Sequence, residues 1–156
     1  MHKYVRPRKF KNTNCGYALV RGIVFGSIYE AEEYCTAKGY DPDVWIEADS
    51  DAVLSRCQQI ARAALPCLRK LLEDQEALYE TICKKARAEA AALRAAEEKH
   101  ELGWEVHRDW LQHAVGKVGG CYDGMEIIHR RITMLERIIR IKPTPKEAPH
   151  HEKERS

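Results

Sequence analysis

The spacing of hydrophobic positions changes along the chain, and the first pattern separates a short N-terminal segment from the rest. Residues 17–25 are mostly aliphatic, β-branched and aromatic, which predicts a strand with a bulge or bend at Gly22. A second short strand is predicted at residues 44–47. Since two strands of this length are not stable alone, we expect them to pack on helices or to pair with another chain.

A helix is predicted between these strands. Ser27 and Glu30 have the spacing of a capping box, in which each side chain bonds to backbone at the start of the helix. The helix is expected over residues 28–38, and Gly39 is expected to end it because glycine tolerates positive φ. Residues 14–48 should therefore fold as a small strand–helix–strand unit.

From about residue 50 the hydrophobic spacing becomes helical. Asp49 or Ser50 is expected to cap a helix whose apolar stripe continues in phase across Pro66, which predicts a kink or a very tight break there. Residues 67–115 hold one glycine, Gly103, and predict a single helix of about 70 Å. Its seam steps by three and four residues, as in coiled coils. The seam consists of Leu68, Leu72, Gln75, Tyr79, Ile82, Ala86, Ala90, Leu93, Ala96, His100, Trp104, His107, Leu111 and Ala114.

The C-terminal part is expected to return along the long helix. The glycines at 116, 119, 120 and 124 predict the reversal, and a last helix is expected over residues 121–141. One stripe of this helix holds Cys121, Met125, Ile128, Ile132, Leu135 and Ile139, and the second holds Ile127, Met134, Ile138 and Ile141. A two-helix hairpin buries one stripe, so the second implies another neighbour. That neighbour is either the N-terminal unit or the same helix of a second copy.

Together these elements predict an α+β protein that is mostly α-helical. We expect a basic flexible arm at residues 1–13, the small unit at residues 14–48, a helical hairpin at residues 49–142 and a disordered tail at residues 143–156. The 156 residues are the length of one ordinary domain.

Charge is segregated although the formal net charge is only +2. Residues 1–29 hold six basic and no acidic side chains, whereas residues 30–51 hold eight acidic side chains and one lysine. The basic arm could therefore contact phosphate groups, fold back onto the acidic block or remain solvated.

The leading functional hypothesis is a non-enzymatic protein that binds a protein partner or a second copy of itself, as an adaptor, assembly factor or inhibitor. Surplus apolar surface on the helices is its basis, and tryptophans are frequent interface anchors. The candidate partner-binding residues are Trp104, Trp110, His100, His107, Ile127, Met134 and Ile138.

An alternative hypothesis is an accessory protein that binds nucleic acid. Lysine and arginine side chains neutralise phosphates, and Arg130 and Arg131 add a cationic side to the last helix. The residues of this hypothesis are Lys3, Arg6, Arg8, Lys9, Lys11, Arg130 and Arg131.

A second alternative is a metal-dependent oxidase. Glu97 with His100 and Glu126 with His129 form two Glu-x-x-His pairs, which is the spacing of di-iron ligands in helical bundles. The same spacing at Glu147 in the predicted tail shows that it also arises by chance. No nucleophile motif or phosphate-binding loop is present, so we predict no cofactor and no catalytic residue.

The remaining composition favours a cytoplasmic protein. Six cysteines occur without a C-x-x-C pair, which indicates small buried thiols in a reducing compartment. No apolar run is long enough to span a membrane, and none follows the basic N-terminus as in a secretory signal.

Overall fold

A computed structural model describes residues 10–99 and 103–144 of the chain, excepting the side chain of Trp104. These residues are mostly helical, with a small antiparallel sheet near the N-terminus packed on a helical hairpin. Their elements are β1 (Ala18–Val20), β2 (Ile23–Phe25), α1 (Ile28–Lys38), α2 (Pro42–Trp45), β3 (Ile46–Ala48), α3 (Asp51–Glu98) and α4 (Trp104–Arg140).

The predicted first strand is in fact a β-hairpin. Arg21 and Gly22 have φ angles of 48° and 82°, and they form a two-residue turn between β1 and β2. Successive positive φ angles give the turn a twist that matches paired strands. Gly22 therefore lies in a reversal, and the prediction of one bent strand is wrong.

The first helix confirms the prediction at both ends. The Glu30 amide donates to Ser27 Oγ at 3.1 Å, and the Glu30 carboxylate accepts from the Gly26 amide at 3.1 Å. Gly39 follows the last helical residue with φ 74°. These local interactions satisfy backbone groups that a helix end leaves without partners.

The second predicted strand is expected to begin at residue 44, but in the structure it begins two residues later, at Ile46. Asp41 caps the one-turn helix α2, with its carboxylate accepting from the Asp43 amide at 3.0 Å, and Pro42 provides the helical φ at the first position. The strand β3 starts only at Ile46 and pairs antiparallel with β1, on the side opposite to β2. Trp45 is consequently exposed in a helix.

The described residues form two compact units, the first from the start of the described chain to Arg62 and from Leu135 onward, and the second from Ala63 to Met134. In the first unit, one sheet face packs on α1. The buried residues of this core are Cys15, Ala18, Val20, Ile28, Ala31, Cys35, Ile46 and Ala48. The thiol of Cys57, on α3, approaches the Ala18 carbonyl oxygen at 3.9 Å.

The bounds of the long helices differ from the prediction. Ser50 Oγ accepts from the Val53 amide, and α3 then continues without interruption through Pro66, so no break divides it. The chain reverses between α3 and α4, where Gly103 has φ 92°, and the predicted helix over residues 67–115 is wrong.

The predicted reversal at the glycines is also wrong. Gly116, Gly119, Gly120 and Gly124 all lie inside α4, so the predicted start of the last helix at residue 121 is too late. Glycine lowers helix propensity by about 1 kcal/mol relative to alanine, but packing against a neighbouring helix overrides this preference.

Candidate protein-interaction face

The second unit is an antiparallel pair formed by the α3 and α4 segments within Ala63–Met134. A series of half-buried and buried positions along α3 steps by three and four residues: Leu65, Leu68, Leu72, Gln75, Tyr79, Ile82, Ala86, Glu89, Leu93 and Ala96. Ala64, Cys83, Ala90 and Ala92 are half-buried beside it. The corresponding positions on α4 are His107, Leu111, Ala114, Val118, Cys121, Met125, Ile128 and Ile132. Cys121 Sγ lies 3.7 Å from the Gln75 carbonyl oxygen, which defines the register of the two helices.

Few residues of this pair are fully buried. Leu65, Ala96, Ala114 and Ile132 are buried, whereas most other seam residues are only partly covered. A pair of helices has a single contact seam, so apolar side chains beside the seam stay in contact with water.

The exposed apolar side chains concentrate on one flank of the pair, which we call the open face. It consists of Leu71, Leu78, Val106, Trp110 and Ile127. Each of these residues precedes a seam residue by one position. In antiparallel helices such positions lie along the same side of the seam. Val115 and Tyr122 follow seam residues by one position and lie along the other flank.

A groove of about 600 Å³ lies on the open face between the two helices. It is lined by Leu78, Thr81, Ile82, Lys85, Glu89, Trp110, His113, Ala114 and Lys117. The apolar members form most of its surface, with charged groups from both helices among them. This volume is in the ordinary range for protein binding sites.

Trp110 is the largest side chain of the groove and is 55% exposed. The His107 ring lies edge-on to the indole, with 5.6 Å between ring centroids and an angle of 90° between planes. This contact orients the indole while leaving much of it accessible. Within the described residues, no hydrogen-bonding partner lies near the buried Nδ1 of His107.

The structure separates the predicted partner-binding residues. Trp110 and His107 lie together at the groove, and Ile127 is 69% exposed on the same open face. Met134 is half-buried. Ile138 is fully buried in the first unit, so its placement on a surface available to a partner is wrong.

The other two predicted partner-binding residues are Trp104 and His100. The backbone of Trp104 begins α4, but its side chain lies outside the described part of the chain, and so does His100. Their role in binding stays a prediction.

The predicted nucleic-acid-binding residues are only partly described. Lys3, Arg6, Arg8 and Lys9 lie outside the described residues. Lys11 lines a groove of the first unit in which Glu47 and Asp49 are also found. Arg130 donates to Glu126 at 3.0 Å in the second unit, and Arg131 is half-buried one position further along α4.

The two Glu-x-x-His pairs are not brought together by the fold. Glu97 lies at the end of α3, beside the chain reversal. Glu126 lies on α4, about 33 Å along the helix from Trp104, the first residue of that helix. Across residues 10–99 and 103–144, no group of three or more His, Cys, Asp or Glu side chains could hold a metal ion. The Glu126 carboxylate instead accepts from Arg130.

The prediction that the cysteines are buried holds for only part of the set. Cys15, Cys35 and Cys57 are buried, Cys83 and Cys121 are half-buried, and Cys67 is exposed. Burial raises the pKa of the Cys57 thiol to about 11. An inert, protonated thiol is the consequence.

The sequence interpretation missed several groove residues and an aromatic cluster. Leu78, Lys85 and Lys117 carry a detectable signal, because they occupy the positions just before seam residues. In the first unit, the Arg21 guanidinium lies 5.0 Å from the centroid of the Tyr40 ring and 5.1 Å from that of Trp45. No sequence motif indicates this cluster, since it depends on the hairpin turn.

Comparison with protein-family models, curated proteins and solved structures finds no match to this chain. Among the described residues, no helix combines the length and hydropathy needed to cross a lipid bilayer.

Proposed function

We propose that the protein is a non-enzymatic interaction protein that binds another protein through the open face of its second unit, as an adaptor, assembly factor or inhibitor. The observation that carries this proposal is the concentration of Leu71, Leu78, Val106, Trp110 and Ile127 on one flank of a helix pair. Contiguous exposed apolar surface on a protein commonly marks an interaction site.

Trp110 supports the proposal more specifically. Tryptophan is strongly enriched among the residues that contribute most to protein–protein binding. The His107 ring already orients the indole, so less side-chain freedom is lost when a partner covers it. We place this activity in the cytoplasm, in keeping with six free thiols.

The test compares partner capture by the full chain and by two variants in lysate of the native host. We expect the wild-type chain to retain a protein that the Leu78→Glu/Trp110→Glu variant loses. Val44→Glu is the control, because Val44 is an even more exposed apolar residue but lies in the first unit. Light scattering of the purified chain decides whether a second copy is the partner.

The proposal has a clear negative outcome. A strictly monomeric wild-type chain that captures no protein sensitive to the Leu78→Glu/Trp110→Glu change would contradict it. Circular dichroism and thermal melting of each variant establish that the substituted chains remain folded.

A further inference from the structure

The charged side chains that line the groove on the open face carry a net positive charge. Lys85 on α3 and Lys117 on α4 both line it, and within the described part of the chain neither forms an ion pair. Glu89 is the acidic residue of the lining, and it is half-buried in the seam.

The shape of the groove fits a helix. It follows α3 from Leu78 to Glu89, which is about 16 Å or three helical turns. Ile82, Trp110 and the small, buried Ala114 are among the residues that line it. A third helix lying along an antiparallel pair would add a second seam and cover these residues.

We propose that the groove binds an acidic amphipathic helix of a partner protein. An apolar side chain of that helix would insert between Leu78, Ile82 and Trp110. Carboxylates beside it would pair with Lys85 and Lys117. This inference rests on the proposed function and specifies the chemistry of the partner.

Charge argues against a second copy as the occupant. Two identical chains usually associate through a two-fold axis, which places the same surface of each copy against the other. Such an interface would contain Lys85, Lys117 and Glu89 from each copy, and it would therefore carry a net positive charge. Acidic side chains on the partner remove this repulsion and favour correct over incorrect partners.

The first experiment identifies the segment that occupies the groove. A photoreactive p-benzoylphenylalanine replaces Thr81, which is exposed and lines the groove, and in a second chain it replaces Leu71 on the same face. Each full-length chain is irradiated in lysate of the native host, and the cross-linked peptides are sequenced by mass spectrometry. We expect cross-links from position 81 to a segment of another protein with apolar residues at helical spacing and glutamate or aspartate on its flanks.

The second experiment measures the binding of that segment, as a synthetic peptide, to the purified full chain. We expect Lys85→Glu/Lys117→Glu to weaken binding at least about tenfold, and added salt to weaken wild-type binding as well. The control Lys84→Glu/Arg87→Glu makes the same charge change on α3 away from the groove, and binding should stay within about twofold.

The outcomes separate this inference from the proposed function. A captured segment that lacks acidic residues, or that binds equally well to Lys85→Glu/Lys117→Glu, overturns the acidic-helix inference and leaves the proposed function standing. A cross-link from Thr81 to a second copy of the chain also overturns the inference. If neither position 81 nor position 71 captures any protein, both proposals fail.

Discussion

The guanidinium of Arg137, near the end of α4, donates a hydrogen bond of 2.8 Å to the backbone carbonyl of Gly16, which lies 121 residues earlier in the chain. The same side chain donates to the Gly26 carbonyl at 3.0 Å. These two carbonyls flank the β1–β2 hairpin, so the hydrogen bonds of one arginine connect both ends of the hairpin to α4. A Cβ atom at Gly16 would lie 2.8 Å from Arg137 Nη1, so an added methyl group would displace the end of this arginine side chain.

Removing this contact is expected to destabilise the first unit. Arg137→Met should lower the free energy of unfolding by about 1–2 kcal/mol, because two backbone carbonyls lose a charged donor. Arg140→Met, on the same helix, is the control and should change stability by less than about 0.5 kcal/mol. Chemical denaturation followed by circular dichroism measures both values.

A double-mutant cycle tests the packing at Gly16. Gly16→Ala should destabilise the wild-type chain because the added methyl displaces the arginine, but it should have little effect in the Arg137→Met background. Equal effects in the two backgrounds would mean that Gly16 is needed for a reason unrelated to Arg137.

Gln58 is predicted to be essential for anchoring the end of α4. Its Nε2 amide donates to the Ile138, Ile139 and Ile141 carbonyls at 3.2, 3.3 and 2.9 Å. Gln58→Glu replaces this donor by a carboxylate that only accepts, and we expect a loss of about 2–3 kcal/mol in unfolding free energy. Gln59→Glu makes the same change at the exposed neighbouring position and should be nearly neutral. Comparable losses in the two variants would contradict the assigned role.

The glycines inside α4 are predicted to weaken the helix. Nothing lies within 4 Å of a Cβ built at Gly116, Gly119, Gly120 or Gly124. Gly116→Ala and Gly120→Ala should therefore each raise the free energy of unfolding by about 0.5–1 kcal/mol. Gly39→Ala is a control with the opposite expected effect. Gly39 has a φ angle of 74°, which strains any L-residue, so this substitution should destabilise the chain. Thermal melting gives the direction of each change, and destabilised α4 variants would refute the prediction.

The protein is predicted to lose stability at alkaline pH. Burial raises the pKa of Cys57 from 9.0 to about 11, so the unfolded chain releases this proton before the folded chain does. The contribution of the protonated Cys57 thiol to the free energy of unfolding is complete below pH 9, and it is lost as the pH rises through about 11. Burial and the neighbouring Cys15 also raise the pKa of Tyr17, to about 12, which extends the loss to higher pH.

Cys57→Ala provides the comparison for this pH dependence. Urea denaturation at pH 7.5 and pH 10 should show a smaller drop in unfolding free energy for Cys57→Ala than for the wild-type chain. Cys67→Ala changes an exposed thiol and should leave the wild-type drop unaltered. An identical drop in all three chains would remove Cys57 as its cause.

Much of the candidate site could be inferred only in outline from the sequence. Trp110 and Ile127, which the sequence offers as candidate partner-binding residues, are both exposed. Ile138 has the same sequence pattern as Ile127, yet it is fully buried while Ile127 is 69% exposed. The difference arises because Ile138 belongs to the first unit and Ile127 to the second, and periodicity along one helix carries no information about such a division.

The sequence by itself determined the features that depend on residues close together in the chain. The Ser27–Glu30 capping box, the end of α1 at Gly39 and the mostly helical fold class follow from local hydrogen bonding and from a repeating apolar pattern. Only the tertiary structure decided where the long helices reverse, since four glycines remain helical in α4 and the reversal occurs at Gly103. The physical reason is that the difference in helix propensity is about 1 kcal/mol per glycine, whereas the contacts that two helices gain along a shared seam accumulate over many residues.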